Sequence, residues 1–206
     1  MSKILIVDYG MGNIGSLINM FRRVGAEAEV AGDAASVARA RKLLLPGVGA
    51  FDAAMECMAA LGLDDALRKR AAEGVPVLGI CLGMQLLTNS SEEGNRPGLG
   101  LIPAKTKRFP RDPSLKVPHM GWNVVRSVRP SGLTDWMRDE EETRFYFVHS
   151  YAVHVEQSRD CLLTARYGIE FAAAINRGNV YGAQFHPEKS HRFGMSLLSA
   201  FAALPC

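Results

Sequence analysis

The 206-residue sequence holds only four cysteines, Cys57, Cys81, Cys161 and Cys206, and no two of them form a Cys-x-x-Cys pair. That scatter argues against a disulfide framework. No cluster of His, Cys, Asp and Glu has metal-ligand spacing, so neither a metal nor a cofactor is expected. No Gly-Lys-Ser/Thr follows a glycine turn, which removes a P-loop. No apolar run is long enough to span a membrane. The opening "MSKILIVDYG" turns polar too early for a signal peptide, so a cytoplasmic protein with reduced thiols is expected. The net charge is only +3 and no Lys/Arg block stands out, which argues against nucleic-acid and membrane partners. Internal repeats and low-complexity linkers are also missing, so residues 1–206 are expected to form one domain.

What is present is ordinary globular material, 48% hydrophobic and 22% charged. Through the first half, short apolar runs alternate with helical patterns. Residues 3–8, "EAEVA", "KLLLP" and "VPVLGI" read as strands. Residues 13–24, "AASVARAR", "DAAMECMAALG", "DDALRKRAAEG" and "LGMQLLTNS" read as helices, with Gly25 as a stop. From "KTKRF" onward through "HMGWNVV", "RFYFVHSYAVHV", "CLLTARY" and "FAAAINRGNVYGAQF" the pattern is strand and turn. "KSHRFGMSLLSAFAAL" closes as an amphipathic helix. The expected fold is α/β: a mostly parallel central sheet with helices on both faces, plus an antiparallel extension.

Two stretches compete to define the chemistry. "DYGMGNIGS" contains Gly10-x-Gly12-x-x-Gly15 after a strand, with Glu27 and Glu29 downstream, which is the spacing of a dinucleotide site. "VPVLGICLGMQLL" places Cys81 between Gly79 and Gly83 at a strand-to-helix junction, the cysteine form of a nucleophile elbow. A helix N-terminus or a nearby imidazolium would favour the thiolate there, and the Leu82 N–H would face an oxyanion forming beside the sulfur. As a proton relay, His186 stands out from the other histidines because it ends an apolar run and precedes Pro187-Glu188. In an extended segment His186 and Glu188 would project to the same side, so Glu188 could orient the imidazole. His119 and His149 read as structural histidines, His154 as a half-exposed strand residue and His191 as a surface residue. Pro46-Gly47-Val48-Gly49, at the end of the third strand, can turn backbone N–H groups toward developing negative charge.

Taken in order, "PGVG", "GICLGMQLL" and "QFHPEKS" resemble the class I (triad) glutamine amidotransferases, over residues 4 to about 202. "DYGMGNIGS", "PHMGWN" and "YFVHSY" are most similar to the branch that supplies ammonia for histidine biosynthesis. The resemblance implies a flavodoxin-like amidotransferase fold and a glutaminase with the triad Cys81, His186 and Glu188. Leu82, Val48 and Gly49 would form the oxyanion hole, while Gln85, Glu93, Ser150 and Tyr151 would hold the amino-acid end of glutamine. It also implies a heterodimer with a (β/α)8-barrel cyclase that takes up the ammonia, with Asn13, Trp122, Tyr146 and Lys189 near the interface. Alternatives open at this level are a glutaminase serving another synthase, a free-standing cysteine hydrolase, an NAD-binding protein and a scaffold without catalysis of its own.

Overall fold

The structure is a computed structural model that describes residues 3–137 and 142–205. Its centre is a parallel sheet of four short strands, β1 (Ile4–Val7), β2 (Ala28–Ala31), β3 (Leu43–Leu45) and β4 (Val77–Ile80), in the order β2-β1-β3-β4. β1, β3 and β4 are apolar and buried at every position because both faces are covered, whereas the edge strand β2 exposes Glu29 and Val30. Ile4 and Ile6 pack into one cluster with Leu17, Phe21, Leu197 and Phe201. Leu5 and Val7 pack into the other, with Val37, Met58, Leu67 and Met84. The alternation of β1 thus assigns α1 (Ile14–Arg23) and α6 (His191–Ala203) to one face. The other face receives α2 (Ala34–Arg39), α3 (Phe51–Ala60), α4 (Leu63–Ala72) and α5 (Leu82–Leu86).

The second half adds β5 (Ser90–Ser91), β6 (Ala104–Arg108), β7 (His119–Ser127), β8 (Arg144–His149), β9 (Tyr151–Val155), β10 (Cys161–Tyr167), β11 (Ile169–Arg177) and β12 (Val180–Ala183). β12 lies parallel to β4, with Ala183 beside Ile80, and from there β11, β10, β7 and β8 continue antiparallel. The expected mixed α/β architecture is therefore the one found. The last strand of the "FAAAINRGNVYGAQF" run, however, belongs to the parallel part of the sheet. Only there can it bring residue 186 beside the end of β4.

Three local features of the sequence take their physical explanation from the structure. "RFYFVHSYAVHV" is one alternating run in sequence but folds as two strands, because the chain bends at Ser150 and β9 leaves β8 to pair with β6. The helix after Cys81 is only five residues long, so its dipole is a small influence on the thiol. The Gly10–Gly15 turn is explained by packing: Gly10 has φ +87° and its N–H donates to Asp8 Oδ1. Gly12 lies where a Cβ would come within 3.0 Å of Pro46, whereas Gly15 faces open space. Glu29 is engaged with Lys3 at 2.7 Å. The dinucleotide spacing is a turn packed on the Pro46 segment.

Candidate active site

The C-terminal ends of β3, β4 and β12 meet at one point, and Cys81 stands there. Its φ of 54° and ψ of −111° place an L-residue in sparsely populated backbone space, as a nucleophile elbow requires. Close backbone approach holds the strain in place. A Cβ on Gly83 would lie 1.9 Å from the Leu45 carbonyl oxygen, and one on Gly79 would lie 2.5 Å from that of Gly83. The Cys81 N–H donates to the Ala183 carbonyl at 2.7 Å, which fixes the elbow against β12.

β12 leads directly to Gln184, Phe185 and His186, all buried. His186 Nδ1 bonds Glu188 Oε1 at 2.8 Å, with both side chains almost fully shielded. The local conformation differs from the extended one expected: Pro187–Lys189 forms a single 3-10 turn. The turn is stitched to β8 by Ser190, whose hydroxyl donates to the His186 carbonyl at 2.6 Å and accepts the Tyr146 N–H at 3.0 Å. Burial alone would push the His186 imidazolium pKa down. The nearby Cys81 sulfur and the Glu188 carboxylate bonded at Nδ1 outweigh burial and raise it to about 9. The remaining ring nitrogen, Nε2, is buried and makes no hydrogen bond, nor does Glu188 Oε2.

A cleft of about 390 Å³ opens over Cys81, lined by Val48, Gly49, Gln85, Glu93, Ser150, Tyr151, His186 and Lys189 among others. Cys81, His186, Val48, Gly49 and the four residues expected to hold substrate therefore converge on one space, with Glu188 paired to His186. Leu82 opens α5 beside them. The Pro46–Gly49 segment is held at its start by the Tyr9 hydroxyl, which donates to the Pro46 carbonyl at 2.7 Å. Further along, Val48 is exposed and Gly49 takes φ +104°.

Glu93 reaches the cleft from the loop after β5, accepting the Phe51 N–H at the start of α3 at 3.1 Å. Burial raises its carboxyl pKa, the Phe51 N–H opposes that, and nearby Asp52 adds to the rise. Asp52 ties the same loop to α3 by accepting the N–H groups of Asn95 and Arg96 at 2.9 and 3.0 Å. Gln85 uses its NH2 group within the protein, donating to Gln184 Oε1 at 3.1 Å and to the Tyr151 carbonyl at 3.5 Å. Gln184, which sequence reasoning passed over, donates in turn toward Cys81 Sγ at 3.8 Å. Its signal was its place two residues before His186, on the strand that flanks the elbow.

Of the four residues expected near a partner interface, Lys189 stands at the cleft wall, and Asn13, Trp122 and Tyr146 lie outside its lining. Trp122, 46% exposed on β7, lies edge-on to Tyr146 at 6.2 Å and stacks on His191 at 5.5 Å. Lys189 extends over the Tyr146 ring at 5.7 Å. Asn13 is exposed at the start of α1. Among the described residues no helix is long and apolar enough to cross a membrane, and no group of three or more metal-ligating side chains forms.

The family model "Glutamine amidotransferase class-I" matches residues 5–203. A relative from Methanococcus maripaludis, "Imidazole glycerol phosphate synthase subunit HisH 2", is 51% identical, covering 96% of this chain and 98% of its own length. One from Pseudomonas aeruginosa with the same name is 48% identical, covering 98% of this chain and 99% of the relative. Among solved structures, a glutamine amidotransferase superposes with a TM-score of 0.73 at 18% identity, covering 98% of this chain and 99% of that one. PurLQS from Thermotoga maritima gives 0.73 at 17%, covering 98% of each chain, and at such identities the likeness speaks for the fold. By sequence and by fold, the chain belongs to the class I glutamine amidotransferase family, in the branch of the HisH subunits of imidazole glycerol phosphate synthase.

Proposed function

We propose that this chain hydrolyses glutamine to glutamate and ammonia through a thioester on Cys81. The observation that carries the reading is the strained elbow cysteine facing, across one cleft, a buried histidine paired with a glutamate. His186 takes the thiol proton on Nε2, and Glu188 at Nδ1 stabilises the imidazolium. The sulfur attacks the side-chain amide carbon of glutamine. The oxyanion is received by the Leu82 N–H and by backbone N–H groups of Val48 and Gly49. As the C–N bond breaks, His186 returns its proton to the leaving nitrogen and ammonia departs. His186 then removes a proton from water as that water adds to the thioester, and the thiol and glutamate are released.

Glu93 meets the α-ammonium of the substrate, with Gln85, Ser150 and Tyr151 completing the hold on its amino-acid end. The names of the relatives support a place in imidazole glycerol phosphate synthase. There the ammonia passes to a (β/α)8-barrel cyclase partner, which uses it to form imidazole glycerol phosphate and an aminoimidazole carboxamide ribotide. The exposed Trp122 against half-buried Tyr146, with Lys189 and Asn13, supplies a docking face of suitable character.

The test is glutamate release from glutamine by the chain alone and by the chain with a barrel cyclase and its nucleotide ligand. Activity that needs both Cys81 and the liganded cyclase supports the whole reading. High activity without the partner removes the coupling to the cyclase. No release in either mixture overturns the glutaminase itself.

A further inference from the structure

A polar chain that the triad does not use starts at His149 in the wall of the cleft. His149 and His119 are both buried, on the facing strands β8 and β7, where the two residues are paired in register. His149 Nδ1 lies 2.7 Å from the Tyr151 carbonyl oxygen, and His149 Nε2 lies 2.9 Å from His119 Nδ1. Asn123 Nδ2 approaches His119 Nε2 at 3.2 Å and the Arg166 carbonyl at 3.0 Å.

The direction of every bond follows from one fact: a carbonyl can only accept. His149 must therefore carry its proton on Nδ1, which leaves Nε2 as an acceptor. His119 must then donate from Nδ1 and accept at Nε2, and the Asn123 NH2 group supplies that last proton. Both rings are thus neutral with the proton on Nδ1. Burial favours the same state, pushing the pKa values of His119 and His149 down to about 4 and 3.

The bond from His149 to Tyr151 spans two residues along one chain. A side chain that bonds the backbone two residues on competes with strand geometry and bends it. The bend falls on Ser150, the residue between β8 and β9, where an otherwise alternating run would continue straight. The same Tyr151 carbonyl also accepts from Gln85, and so joins the histidine chain to Gln85, Gln184 and the Cys81 sulfur. The His119 ring is held between Tyr167, with centroids 4.1 Å apart, and Phe147 at 4.9 Å, so it has little freedom to leave the chain.

We propose that His149, oriented by His119 and Asn123, is a positioning residue that bends the chain at Ser150 and so shapes the amino-acid subsite for glutamine. The proposal rests on the glutaminase reading. It assigns the pair a share of substrate binding rather than of bond breaking.

The kinetic test uses the chain with its cyclase partner and nucleotide ligand. His149→Phe keeps a ring but removes the donor, and should raise KM for glutamine about tenfold while kcat changes less than about threefold. His149→Asn can place an amide N–H where Nδ1–H stands, and should recover most of that KM. A KM unchanged in His149→Phe, or an asparagine variant no better than phenylalanine, overturns the proposal. A second readout needs no variant: nitrogen-15 imidazole spectra of the wild-type chain should show both rings neutral with the proton on Nδ1. A proton on Nε2 of His149 overturns it as well. If the wild-type complex releases no glutamate, the glutaminase reading fails and the substrate role falls with it. The imidazole spectra tell that failure apart from a wrong hydrogen-bond chain.

Discussion

The two halves of the sheet place functional groups by different means. In the parallel half, backbone packed on backbone sets the position of Cys81: Gly83 lies against Leu45, Gly79 against Gly83, and the Cys81 N–H on Ala183. In the antiparallel half, side chains reach across strands to do the positioning, through His149, His119 and Asn123. Backbone contact tolerates almost no change in volume, whereas a side-chain network is adjustable link by link. The first should therefore govern the chemical step and stability, and the second should govern substrate affinity.

Removing the nucleophile is the severest test of that division. Cys81→Ala should reduce glutamate release by about a thousandfold or more while the melting temperature moves little. Next comes Gly83→Ala, whose added methyl meets the Leu45 carbonyl; urea unfolding should show a loss of about 3 kcal/mol. A Gly83→Ala variant as stable as wild type would break the claim that backbone contact sets the elbow.

A gentler probe is pH. The His186 pKa is raised from 6.5 to about 9, so the stability its interactions contribute is fully present below pH 6.5 and is lost as pH rises through 9. Melting temperature should fall over that range in the wild type and fall less in His186→Gln. The smallest effect belongs to the outermost link of the polar chain. Asn123→Ala should raise KM for glutamine about threefold with kcat unchanged, and a kcat loss larger than the KM change would blur the distinction between the halves.

The same contrast explains what could be read from the sequence. The parallel half is written in local terms, with four apolar runs, glycines around one cysteine, and a helix pattern after each strand. The mixed fold and the convergence of Cys81, His186 and Glu188 followed from those features together with the family resemblance. The bend at Ser150 was hidden, because the ring that orients His149 toward the Tyr151 carbonyl, His119, lies 30 positions away in sequence. Gln184 and Ser190 were hidden likewise, since their partners Cys81, Gln85 and Tyr146 are distant along the chain. The His186 turn was misjudged locally: the i, i+2 spacing suggested an extended backbone, and a 3-10 turn anchored by Ser190 makes the pairing instead.

The crowding at Gly79 and Gly83 also bears on redesign. Neither position admits even a methyl group without moving neighbouring backbone, β3 at Gly83 and α5 at Gly79, so the nucleophile cannot be relocated by small substitutions to suit a larger or smaller amide. Recoding the substrate falls to the opposite wall of the cleft, where Glu93 rides on a loop tied to α3 and Ser150 and Tyr151 follow a bend held by replaceable side chains. A library that diversifies residues 91–97 and 148–151 while leaving the elbow untouched would search where this scaffold can still change.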